Sequence, residues 1–183
     1  MVRELHLEHL INGTIKGLSK SVSAFLYESV IVALYLNNHK SGIPLNIEGT
    51  YQETFLLNWT TIPTQKILKN WTDKKETVEY ASTAIAFLLL DKLTDYVFFG
   101  RAAQDDVADY LLNKKGKSSN FEESNPFAYL EVSGIWKENK KNTLNMRFNL
   151  KKRNLEQQNP DKFPYVIVVA EFSIPKAKIE KNG

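Results

Sequence analysis

The chain has no cysteine among its 183 residues. Disulfides, thiolate metal sites and thiol nucleophiles are therefore excluded. Histidine is scarce, with only His6, His9 and His39 present. Ser133 thus has no histidine in a pattern that would make it part of a Ser/His/Asp triad. No Gly-rich phosphate loop of either the P-loop or the dinucleotide kind occurs. A Gly-x-Ser-x-Gly elbow is also missing. Long hydrophobic runs are absent: the longest, over residues 84–90 and 165–170, are too short to span a bilayer. The first six residues, MVRELH, lack a signal-peptide pattern. Together these absences lead us to expect a cytoplasmic protein with no membrane partner.

What is present is an ordinary core-forming composition. Hydrophobic residues make up 43% and charged residues 25%, enough for one globular domain over 1–183. Charge is unevenly placed. Ten Lys/Arg face thirteen Asp/Glu through Asp109, and fourteen face eight thereafter. A basic C-terminal half suits a polyanionic partner, although solvated lysines are common on any surface.

Helical spacing of apolar residues suggests a weak helix over 4–18, interrupted by Gly13 and Gly17, and a strong one over 19–37. On a helix His6 and His9 would share a face, but no third ligand completes a zinc site, so they read as surface residues. Residues 50–61 favour a strand, 64–71 a short helix, and 73–96 a long central helix opened by Thr72 or Asp73 with Glu76 as capping partner. Residues 96–100 either finish that helix or open a loop. Residues 104–109 hold three acids, Asp105, Asp106 and Asp109, a short strand over 108–112 takes in the last of them, and a polar connector covers 113–125. A strand over 128–136, a basic helix over 143–158 and a continuous apolar strand over 165–172 follow. A basic tail ends the chain. This order predicts a mixed α/β sheet with helices on its faces.

One acid stands out. Glu131 lies in the middle of AYLEVSGIW, the stretch over 128–136, among apolar neighbours. A carboxylate there must be compensated by a donor, a cation or a metal, unless it lies on a solvated sheet face. Trp59, Trp71 and Trp136 could line a base-stacking groove, though core burial is the usual fate of tryptophan. Glu171, near the end of the apolar strand, reads as structural.

From residue 19 to residue 172 the order of parts resembles the PD-(D/E)XK nuclease superfamily, with its restriction-endonuclease-like core. Asp109 in ADYLL matches the first acid of the motif and Glu131 in LEVSG the second. Glu28, in the first strong helix, matches the helix acid of many members. The sequence departs from the motif at Ser133, which stands where the family has lysine. Lys137 falls on the Glu131 face if the strand stays extended, and Lys151 and Lys152 on the next helix are alternatives, since some members recruit the lysine from a neighbouring element. The resemblance implies Mg²⁺ or Mn²⁺ held by Asp109 and Glu131, with Glu28 assisting. It implies nucleic acid as partner, with Lys114, Lys115, Lys117, Lys140, Lys141, Lys151, Lys152 and Arg153 near its phosphates. The alternative is a non-catalytic subunit with a decayed site. It would bind nucleic acid or join an assembly, as a homo-oligomer or within a larger cytoplasmic complex acting on foreign DNA.

Overall fold

A computed structural model describes residues 3–103, 106–117 and 125–183. Eight strands and four α-helices form a single mixed α/β domain among these residues. In chain order they are β1 (Arg3–His6), α1 (Lys20–Leu36), β2 (Ile43–Gly49), β3 (Glu53–Asn58), α2 (Gln65–Asn70), α3 (Lys74–Leu93), β4 (Tyr96–Arg101), β5 (Tyr110–Lys114), β6 (Ala128–Ile135), α4 (Leu144–Gln158), β7 (Tyr165–Glu171) and β8 (Lys176–Asn182). The strands assemble as β1-β3-β2-β8-β7-β6-β5-β4.

Each long helix starts at a side-chain cap. The Ser19 hydroxyl accepts from the Val22 amide, Asp73 accepts from the Lys75 and Glu76 amides, and Thr143 accepts from the Met146 amide. Residues 81–90 of α3 are all buried, as expected of a helix apolar on every side. Helices α1 and α3 pack on one sheet face, where Leu130, Val132, Val166 and Val168 point. Helix α4 covers the other face through Leu144, Phe148 and Leu155, against Ile135, Ile167 and Val169. Strand β7 is therefore buried along all seven residues, which explains its unbroken apolar sequence. No helix among the described residues is long and apolar enough to cross a membrane.

Several elements differ from the sequence expectation. Residues 3–6 form a strand parallel to β3, with Leu5 in the core, and the helical spacing of 4–18 yields only a short turn at Leu7–His9. Residues 96–101 become β4 rather than the end of α3, because Thr94 caps the helix in an extended conformation. The tail forms β8, antiparallel to β7, with Ala177 and Ile179 buried and lysines at alternate positions. Strand β2, which the sequence reading left unassigned, joins β3 to β8. Of the three acids before β5, Asp105 lies outside the described residues, as do 118–124 of the polar connector.

One glycine sets the spacing between α3 and the sheet. A Cβ on Gly134 of β6 would lie 2.6 Å from the Val78 carbonyl oxygen and 2.2 Å from the Ser82 hydroxyl oxygen. The hydroxyl can rotate, but the helix backbone cannot move alone. Gly134→Ala is expected to destabilise the protein by about 1–3 kcal/mol, read as a lower urea midpoint with unchanged m-value.

Candidate active site

The antiparallel ladder between β5 and β6 is short, pairing Tyr110 with Leu130, Leu111 with Tyr129 and Leu112 with Ala128. Continuing this register by one residue sets Asp109 opposite Glu131, so the two acids share a face. The ladder itself stops there. Instead of a backbone partner, the Val132 amide donates to the Asp109 carboxylate at 2.8 Å. Beyond that point the outer side of β6 opens into a cavity of about 270 Å³. It is walled by Lys75, Glu79 and Thr83 of α3, by Asp109 and Tyr110, by residues 132–134 of β6, and by Arg147 and Lys151 of α4.

Glu131 is 7% exposed. The Lys151 ammonium donates to its Oε1 at 2.5 Å, and the Asp109 carboxyl lies within hydrogen-bonding reach. Burial pushes the Glu131 carboxyl up to about 7, the Asp109 charge adds to that rise, and Lys151 opposes it. The net upward direction shows that one lysine does not compensate the desolvated acid and its acidic neighbour. Such a site attracts further positive charge. Arg147, one turn before Lys151 on α4, is held by the Asn142 side chain at 3.1 Å.

Among the described residues no group of three or more His, Asp or Glu side chains could hold a metal ion. The Asp109–Glu131 pair nonetheless fits Mg²⁺, which commonly takes one or two carboxylates and fills its octahedron with water and substrate oxygens. The raised Glu131 carboxyl, turned toward a second carboxyl rather than away from it, is the feature that matches a bound cation.

The other expected site residues lie elsewhere. Glu28 accepts from the Trp71 indole at 3.4 Å and does not line the cavity. Helix α1 packs beside α3, and it is α3 that reaches the cavity, so Glu79 rather than Glu28 is the helix acid that lines it. Lys137 is exposed and also absent from the lining, because β6 ends at Ile135 and the period-two rule ends with it. Ser133 does line the cavity, with the cation arriving from Lys151 on α4.

The basic residues proposed for phosphate contact divide in the same way. Only Lys151 lines the cavity. Lys152 is engaged by Glu180 at 2.7 Å. Lys115 closes the end of α3 by donating to the Asp91 and Thr94 carbonyls at 2.7 and 3.0 Å. Lys114 lies over the Phe127 ring at 5.4 Å. Lys117, Lys140, Lys141 and Arg153 are exposed and lie off the cavity wall.

Lys75, Glu79, Thr83 and Arg147 line the cavity without having been expected there. The signal was available: Lys75, Glu79 and Thr83 recur every four residues along the first half of α3, which puts them on one face. The chain matches no family model, no curated protein and no solved structure.

Proposed function

We propose that the protein is a metal-dependent nuclease that hydrolyses phosphodiester bonds in nucleic acid, in the manner of the PD-(D/E)XK superfamily. The observation that carries this reading is the meeting of Asp109, Glu131 and Lys151 from three separate stretches of the chain, with Asp109 and Lys151 lining one cavity. Two neighbouring carboxylates and one lysine are the minimum set for this chemistry, and the motif lacks only the usual position of the lysine.

When bound, the divalent ion supplies Lewis-acid stabilisation of the phosphoryl oxygens and a more acidic water. Asp109 and Glu131 would hold it, and both must be ionised to do so. The Asp109 carboxylate is fixed in place by the Val132 amide. Lys151 would orient the attacking water and donate to a non-bridging phosphate oxygen as charge accumulates there. Arg147 and Lys75 hold the strand phosphates at the cavity rim. The water oxygen bonds to phosphorus as the water gives up a proton to solvent, the bond to one sugar oxygen breaks, and that oxygen takes a proton back from solvent as it leaves.

Lys151 also bears on the alternative of a decayed, non-catalytic subunit. That alternative rested on Ser133, and a lysine contacting Glu131 weakens its premise. The test is incubation of purified protein with single- and double-stranded DNA and RNA, with Mg²⁺ or Mn²⁺. Wild type is expected to cleave at least one of these. Asp109→Asn is expected to lose roughly 100-fold or more of that rate. Cleavage by Asp109→Asn at the wild-type rate would remove the site assignment, and no cleavage by wild type under either metal would remove the function.

A further inference from the structure

A second cavity, of about 410 Å³, adjoins the first. Thr83 and Tyr110 line both, with their hydroxyls 3.3 Å apart in the common wall. Its chemistry is the opposite of its neighbour's. Two aromatic clusters bound it. The inner one joins Phe87, Phe98 and Tyr110, with ring centroids 5.2–6.0 Å apart. The outer one sets Phe25 at 4.7 Å from both Trp71 and Tyr80. Phe25 is 42% exposed and Val22, one turn earlier on α1, is 46% exposed. Among the described residues one cation faces this apolar wall: Arg101, whose guanidinium sits 5.9 Å from the Tyr110 ring centroid and lies within reach of the Tyr110 and Tyr80 hydroxyls.

We infer that this aromatic groove receives an unpaired nucleobase next to the phosphate attacked beside Asp109 and Glu131, which makes the substrate a single strand or a splayed strand end. The inference rests on the nuclease reading for the identity of the neighbouring group. Three features select the occupant. The groove is continuous with the carboxylate cavity, so its ligand must extend into a site fitted for a cation and a phosphate. Flat aromatic faces with an arginine beside them suit a planar heterocycle, because every base offers a π-face for stacking. The volume lies in the range of small-molecule sites, about 300–1,000 Å³, and so admits a base. A duplex keeps its bases stacked inside, so only an unpaired one reaches the groove.

The test compares a labelled oligothymidylate with a phosphodiester chain of equal length that lacks bases. Binding is followed by fluorescence anisotropy in EDTA, where cleavage does not intervene. Wild type is expected to bind oligothymidylate about tenfold or more tightly than the baseless chain. Phe25→Ala and Val22→Trp, the second of which fills the groove mouth, are expected to close that gap. Phe25→Trp, which restores a stacking face, is expected to keep it. Both altered residues are substantially exposed, and thermal melting verifies that each variant folds. Equal wild-type affinity for the two chains overturns the inference, as does a gap that survives both Phe25→Ala and Val22→Trp. Retention of an apolar dye in the groove at saturating oligothymidylate also overturns it, because the occupant would then be something other than a base. Cleavage is scored separately. A base-dependent gap without cleavage leaves the groove assigned and the nuclease reading fallen, while cleavage without a gap does the reverse.

Discussion

Lys151→Met is expected to lower the cleavage rate by about 100- to 1,000-fold and to move the acid limb of the pH–rate profile to higher pH. The two effects have one cause. Burial and Asp109 raise the Glu131 carboxyl to about 7 against the pull of Lys151. Without the ammonium at 2.5 Å, only the raising influences remain, and the carboxyl moves above that value. Metal binding requires the ionised form, so at sub-saturating Mg²⁺ the variant needs a more alkaline solution to become active. Lys151→Arg keeps the charge and therefore the pH profile, but its planar fork does not reproduce a point donor, and the rate falls. Single-turnover rates across the pH range, at fixed low Mg²⁺, separate the two. An unchanged acid limb in Lys151→Met would show that Lys151 does not act on Glu131.

The position of that lysine illustrates what a sequence can and cannot disclose. Glu131 was visible because an acid inside an apolar strand is locally anomalous. Asp109 was visible because it lies at the start of the previous short strand, and the register that sets it opposite Glu131 follows from three observed pairs. Lys151 was one of three lysines, and only the docking of α4 on the sheet through Phe148 and Leu155 selects it. Glu28 and Glu79 each lie on a strong helix, and periodicity cannot say which helix reaches the cavity. The buried elements α3 and β7 were legible, because a fully covered segment is continuously apolar. Strands β1, β2 and β8 were not, because charged residues interrupt them and their pairings are distant in sequence. Arg3 lies opposite Phe55, and Asn46 opposite Lys176. Such long-range pairing has no local signature.

Glu131→Gln is expected to stabilise the metal-free protein at pH 8 while leaving its stability at pH 4 nearly unchanged. The carboxyl is raised in the folded protein from an ordinary 4.5 to about 7. The folded state therefore holds a proton that the unfolded state has released between those values, and stability contributed by that proton is lost as pH rises through about 7. Below pH 4.5 both states are protonated and the term is fully present. At pH 8 the folded protein carries an ionised, desolvated acid beside Asp109, at a cost on the order of 2–3 kcal/mol. Glutamine removes the charge but keeps the shape, and its amide can donate to Asp109 while its oxygen still accepts from Lys151. Breaking a buried pair is usually destabilising, yet here the net upward shift means that burial and like charge outweigh the lysine, and Lys151 is exposed enough to rehydrate. For a chain of this size the gain corresponds to a rise in Tm of roughly 4–12 °C. Mg²⁺ or Mn²⁺ should raise the wild-type Tm at pH 8, because a bound cation stabilises both ionised carboxylates, and should have little effect on Glu131→Gln. Thermal melts at pH 4 and 8, each with and without metal, decide the matter. A Glu131→Gln protein that melts below wild type at pH 8 without metal would mean that the Lys151 ion pair outweighs the desolvation of Glu131. A metal-induced shift equal in both proteins would mean that Glu131 is not a ligand.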